Sequence, residues 1–193
     1  MESAITASWI RIENWLAQLA PTTFVALAPP ATRAALEAVQ VETGEPLPEA
    51  LTDCLLRHDG TGFAALLPPF WCLLDTSGIV ESHRTAVRLN AEVFGDATED
   101  DRDGDDGLWW HRQWIPFATD GAANHLVLDQ RPHRRTGRIG NADHETGCLF
   151  GTQPLWESLP ALLEATATAL ETGEPLDGCL PLVAGGELRW EVL

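Results

Sequence analysis

The chain contains no lysine and no tyrosine, and its single methionine is the first residue. Its twelve basic residues are all arginine, set against 29 acidic ones, for a formal net charge of −17. Phosphate contacts need a basic face, so nucleic-acid binding is excluded as a function class. An anionic membrane surface would repel the chain for the same reason. Without lysine a Walker phosphate-binding lysine is impossible, and no G-x-S-x-G nucleophile elbow is present. No stretch approaches the ~18 apolar residues of a membrane span. The opening residues M-E-S-A-I-T-A-S-W-I-R-I lack a basic n-region and a long apolar run, so no secretory signal is expected there. Cys54, Cys72, Cys148 and Cys179 are scattered, with no C-x-x-C pair. They read as reduced thiols of a cytoplasmic protein. His58, His83, His111, His125, His133 and His144 never take a metal-ligand spacing such as H-x-x-x-H. Neither a metal nor a cofactor is expected.

What is present suits one domain. The chain has 193 residues, 45% of them hydrophobic, and eight are tryptophan. Most of these indoles should be core or interface anchors. Trp9, Ile12, Trp15, Leu16 and Leu19 recur at helical spacing and predict a helix ending at Pro21. A Pro-Ala-rich link follows. Residues 31–41 predict a second helix stopped by Gly44. Pro48 suits the first turn of a third, whose buried stripe is Leu51, Cys54 and Leu55 and whose end is Asp59-Gly60. Phe63 to Leu67 is a candidate short strand, cut by Pro68-Pro69. A helix is expected over 78–94. Ser158 and Gly173 are placed to cap the last helix at its two ends. Gly186 to Val192 alternates as an edge strand does.

Residues 113–129, Q-W-I-P-F-A-T-D-G-A-A-N-H-L-V-L-D, read as strand, tight turn, strand. Trp114, Ile115 and Phe117 supply β-favouring bulk, and Asp120-Gly121 is a turn dipeptide. Gly137 to Gly140 is a candidate third strand. The order W-I-P, D-G, small residue and Asn, L-x-L-D, G-x-I resembles the SUKH superfamily, the Smi/Knr-like cell-wall-assembly regulators and bacterial immunity proteins. The residues carrying the resemblance are Trp114, Pro116, Asp120, Gly121, Asn124, Asp129 and Gly137. Pro48, Gly60 and the terminal Trp190 match the family's L-P, D-G and G-x-L-x-W positions. Ala123 departs from it, because glycine often precedes the Asn or Asp at that turn. Asn124 and Asp129 read as residues that hydrogen-bond local backbone and fix the loop. The resemblance covers roughly 31–193. It implies an α+β fold, with helices packed on a mainly antiparallel sheet built from the central and C-terminal strands. Residues 1–28 would be a helical extension, and 29–193 the family domain with an acidic insertion at 96–107.

That insertion is the sharpest local feature. Asp96, Glu99, Asp100, Asp101, Asp103, Asp105 and Asp106 face only Arg102. An EF-hand needs Gly at position 6 and Glu at position 12, and both possible registers fail. The loop reads either as a solvated segment or as a lure for a basic protein partner. Trp109 and Trp110 directly after it suit interface anchors and core equally well. G-T-G-F-A-A at 60–65 formally matches a dinucleotide fingerprint but follows a helix instead of a strand, so it is rejected. No catalytic residues are assigned. The resemblance implies a non-catalytic protein-binding module, either an immunity protein neutralising a toxin or a regulatory adaptor, and the acidic charge would suit a basic toxin. An enzyme built from dispersed Asp, Glu and His residues is the alternative from another class. Oligomeric state is left open.

Overall fold

The computed structural model describes residues 3–94, 108–132, 136–150 and 156–193. The acidic run, with Glu99, Asp100, Asp101, Asp103, Asp105 and Asp106, lies outside the described residues, as does His133.

Local chemistry sets the helix ends. Helix α1 (Ala4–Leu19) starts where the Ser3 hydroxyl accepts from the Thr6 amide, and it buries Ile5, Trp9, Ile12 and Leu16 on one face. Helix α2 (Pro21–Ala26) fills the stretch between the first expected helix and the Pro-Ala-rich link, because Pro21 tolerates a helix's first position. Helix α3 (Arg33–Thr43) is capped by Thr32 and ends at Gly44, at φ +73°. Helix α4 (Glu49–Arg57) takes Pro48 as its N-cap and buries Leu51, Cys54 and Leu55. At Gly60, with φ +85°, an added Cβ would meet the Asp75 amide nitrogen at 2.7 Å, so both backbone and space demand glycine.

No strand forms over Phe63 to Leu67. The Thr61 hydroxyl donates to the Ala64 carbonyl and closes a turn, Phe63 points into solvent, and Leu67 makes only an isolated bridge with Trp71. Strand β1 (Cys72–Leu73) follows, then helix α5 (Thr76–Phe94). Strands β2 (Trp114–Thr119), β3 (His125–Asp129), β4 (Ile139–Asp143) and β5 (Gly147–Leu149) complete an antiparallel sheet in the order β1-β2-β3-β4-β5. Helix α6 (Leu159–Thr172) has Ser158 and Gly173 as its caps, as expected.

Strands β6 (Cys179–Ala184) and β7 (Glu187–Val192) form a separate two-stranded sheet. The expectation of one sheet containing the C-terminal strand is corrected here. The hairpin is held instead by α2: the Thr22 amide donates to the Gly186 carbonyl at 2.9 Å, and the Leu188 amide to the Thr23 hydroxyl at 2.8 Å.

Strand alternation divides the core in two. Ile115, Phe117, Leu126, Leu128 and Ile139 face the large cluster shared with α1, α4 and α6. Trp114, Val127, Ala142 and Cys148 face the other way, toward Ala86 of α5 and Phe150. Helix α1 belongs to the same core as the sheet: Trp9, Ile12 and Leu16 have no exposed surface, and burying each such side chain stabilises by ~1.5–3 kcal/mol. The described residues thus form an α+β architecture with both chain ends packed at one side.

A candidate binding face at the hairpin end of the sheet

Two turns meet at the far end of the sheet. In the β2–β3 turn, Asp120 Oδ1 accepts from the backbone amides of Ala122 at 2.7 Å and Asn124 at 3.1 Å. Asn124 Nδ2 donates to Asp120 Oδ2 at 2.7 Å. Asn124 Oδ1 then accepts from the backbone amide of His144, in the β4–β5 turn, at 2.9 Å. The Asp-Asn pair therefore fixes its own loop and clasps the neighbouring one. Gly121 sits at φ +78° and Ala123 at φ +72°. The second value explains why glycine suits the position of Ala123: the left-handed region strains an alanine.

Within the β4–β5 turn, Asp143 Oδ1 accepts from the Thr146 amide, the Thr146 hydroxyl and the Glu145 amide. Those bonds, the Thr146 amide first, hold this carboxyl below its usual range.

The pairing His125↔Ala142 and Leu126↔Asn141 sends neighbouring side chains to opposite faces, and each face carries a concavity. On the α5 side a groove of about 270 Å3 is lined by Ser82, Ala86, Leu89, Trp109, Trp110 and His125, with Glu81 and Asp143 also on its lining. His125 Nε2 lies 3.0 Å from the Ser82 hydroxyl. Burial lowers the His125 pKa, opposed by the Asp120 charge and the Ala123 backbone. Trp109 donates Nε1 to the His144 carbonyl at 3.0 Å and stacks on Phe94. Trp110 is only 4% exposed, so it is part of the groove's buried wall; its ring edge meets Trp114 and His125. Trp110 Nε1 is buried without a hydrogen-bond partner. A second cavity, of about 220 Å3, opens on the opposite face.

The remaining motif residues are buried or bonded within the fold. Asp129 has no exposed surface and pairs with Arg131 at 2.8 Å and Arg138 at 3.1 Å; the Arg138 guanidinium lies 3.8 Å from the Phe150 ring centre. Burial would raise the Asp129 pKa, but the bonds and charge of Arg131, with Arg138, hold it down. Gly137, at φ +86°, donates its amide to the Asp129 carbonyl. Trp114 is fully buried. Pro116 sits beside the β2 irregularity, and β1 pairs only with Ala118 and Thr119, so Pro116 lies outside that ladder. Trp190 donates Nε1 to the Leu66 carbonyl at 3.2 Å.

Sequence reading missed Ser82, Asn141, Asp143, Trp71 and Trp156 as lining residues. Ending the third strand at Gly140 hid the alternation of Asn141 and Asp143 along one face of β4. Among the described residues, no three His, Cys, Asp or Glu side chains converge as a metal ion would require. No helix among them is long and apolar enough to cross a membrane. The arrangement offers concave apolar and acidic surface.

The family model of the SMI1/KNR4 family (SUKH-1) matches residues 30–165. The chain belongs to this family. No curated protein matches the chain closely enough to add a named relative. The SUKH-1 match takes in the whole five-stranded sheet and both clasped turns, and stops within α6. Helices α1 and α2 and the β6–β7 hairpin, Trp190 included, lie beyond it.

Proposed function

We propose that the chain is a non-catalytic protein-binding module of the immunity type, which neutralises a basic toxin through an acidic surface. The observation that carries this reading is the hairpin end of the sheet. Two concavities lie back to back there, and among the described residues Asp120 and Asp143 enter no ion pair. The net charge of −17 supplies a long-range field that speeds capture of a cationic partner. In this reading Trp109 and the wall formed by Trp110 seat an apolar anchor of the toxin. Glu99, Asp100, Asp101, Asp103, Asp105 and Asp106, next to them in sequence, strengthen the attraction. Catalysis is not part of the reading. The family itself favours a second one, a regulatory adaptor of the Knr4 kind, which would use the same face on a different protein.

Co-expression tests the proposal. The gene is placed with toxin domains encoded beside it in its host genome, and growth is followed together with the salt dependence of the complex. The immunity reading expects rescue by this chain and a complex weakened by salt. Charge reversal at Glu99, Asp100 and Asp101 should slow association several-fold. No rescue with any neighbouring toxin would reject it, and a stable salt-indifferent partner without rescue would move the assignment to the adaptor.

A further inference from the structure

The cavity on the face away from α5 is chemically one-sided. It lies between β3–β4, the 67–71 turn, the start of α6 and the 177 turn. Phe70, Trp71 and Trp156 give it aromatic surface, while Asp120, Asp143 and Asp177 bring carboxylates. No ion pair among the described residues neutralises any of the three. Asp143 Oδ1 takes the three turn donors, and Oδ2 takes none. Asn141 Oδ1 is buried and has no hydrogen-bond partner among the described residues. The register places Asn141 beside Leu126, on the face that lines this cavity. That oxygen has almost no accessible surface, so it meets an arriving donor only when the amide turns toward the cavity, and leaving it unpaired costs stability that such a turn would restore. The cavity therefore presents acceptors, negative charge and ring faces.

One side-chain type matches all three. Guanidinium is planar, carries five donors and stacks on aromatic rings, whereas ammonium is a compact, strongly hydrated point charge. The acceptors are spread around the cavity, and among the described residues no three acidic groups converge on one point, which suits a flat multi-donor cation better than a metal ion. At about 220 Å3 the space falls below the ~300–1,000 Å3 of pockets for drug-sized ligands, the scale of one side chain. We propose that this cavity receives an arginine side chain of a partner protein. The inference rests on the protein-binding reading above and supplies its chemistry: an arginine anchor on one face of the sheet, opposite the apolar groove.

The test needs no partner. The full chain, labelled for NMR, is titrated with N-acetyl-arginine methylamide and, separately, with the citrulline analogue of nearly the same shape and no charge. The expected result is a saturable millimolar response to arginine at the Asn141 side-chain amide and the Trp71 and Trp156 indoles. Citrulline should leave these signals at least about tenfold less responsive, because its charge-assisted bonds are lost. Asn141→Asp should tighten arginine binding several-fold, and Asn141→Leu should weaken it about tenfold. Should Asn141→Leu fail to fold, Asn141→Asp and the arginine–citrulline contrast still decide. Equal responses to the two probes, no response at these positions, or no gain in Asn141→Asp overturn the proposal. Because no toxin enters the experiment, its failure leaves the co-expression result standing. An arginine-specific response without rescue would keep the pocket and remove the immunity reading.

Discussion

The two ends of this molecule treat polar groups differently. At the helical end, where α1, α6, α2 and the β6–β7 hairpin meet, the polar groups are paired. Trp9 Nε1 donates to Cys54 Sγ, Trp190 Nε1 to the Leu66 carbonyl, and the Leu188 amide to the Thr23 hydroxyl. Arg11 reaches across from α1 to Glu164 and Glu171 of α6, and Glu13 ties down Arg57 and His58. Along the sheet, Trp110 Nε1 and Asn141 Oδ1 near the hairpin end, and Trp114 Nε1 and Gln130 Nε2 at the other end, are buried with no hydrogen-bond partner among the described residues, where Asp120 and Asp143 also enter no ion pair. Native folds rarely leave such groups unpaired, and those they do leave call for a role. The contrast separates the helical end, which closes the fold, from the sheet, whose hairpin end adds two concavities to its unpaired groups.

Substitutions should show this division. Trp9→Ala, at the core of the helical end, should cost ~3–5 kcal/mol in urea unfolding. Asp129→Ala should cost a similar ~3–5 kcal/mol, because it removes the buried carboxylate that pairs with Arg138 and Arg131. The sharper contrast uses one substitution at both ends. Trp190→Phe orphans the Leu66 carbonyl, whereas Trp110→Phe removes a donor that is already unpartnered. The first should be the more destabilising by about 1–3 kcal/mol, beyond the volume loss the two share. Equal costs would show that Trp110 Nε1 is satisfied in solution, and the division would blur.

Acid should act in two stages. His83 and His125 are held below their ordinary value of 6.5, in both cases by burial. A depressed pKa contributes stability above the unfolded value and loses it as pH falls toward the folded one. Stability should therefore decline first below about pH 6.5. Glu13 and Asp129 follow, since hydrogen bonds from Arg57 and His58, and from Arg131 and Arg138, outweigh burial and hold both low. Their contribution is lost below their ordinary values, 4.5 and 3.8. A melting temperature constant from pH 7 to 5 in wild type, or unchanged by His125→Gln in that window, would contradict the first stage.

The smallest effects belong to exposed pairs. Arg84→Ala breaks its pair with Glu42, with both side chains at least half exposed, and should change stability by less than ~0.5 kcal/mol.

Helix punctuation was largely legible in the sequence, because capping is local: Gly44, Ser158 and Gly173 act within one turn of themselves. The W-I-P and D-G turn was legible for the same reason. The separate β6–β7 sheet was not, since its placement depends on Thr22 and Thr23, more than 160 positions away. Trp110 could equally have been anchor or core until tertiary packing placed it. The arginine-shaped cavity was hidden twice over. It draws on segments spread from residue 67 to residue 177, and Asn141 looks unremarkable until a strand register sets it beside Leu126. Of its carboxylates, Asp120 stood out only as a turn residue, and nothing in the sequence around Asp143 or Asp177 indicates a pocket.

The most direct measurement is hydrogen exchange on the full chain, alone and in complex with the toxin domain that co-expression identifies. Protection concentrated at residues 119–126 and 139–147, with the α1–α2 and β6–β7 amides unchanged, is the result expected of a binding face at the hairpin end. Protection at residues 4–26 and 179–192 instead, with the two clasped turns unaffected, would place the partner at the closed end and contradict it.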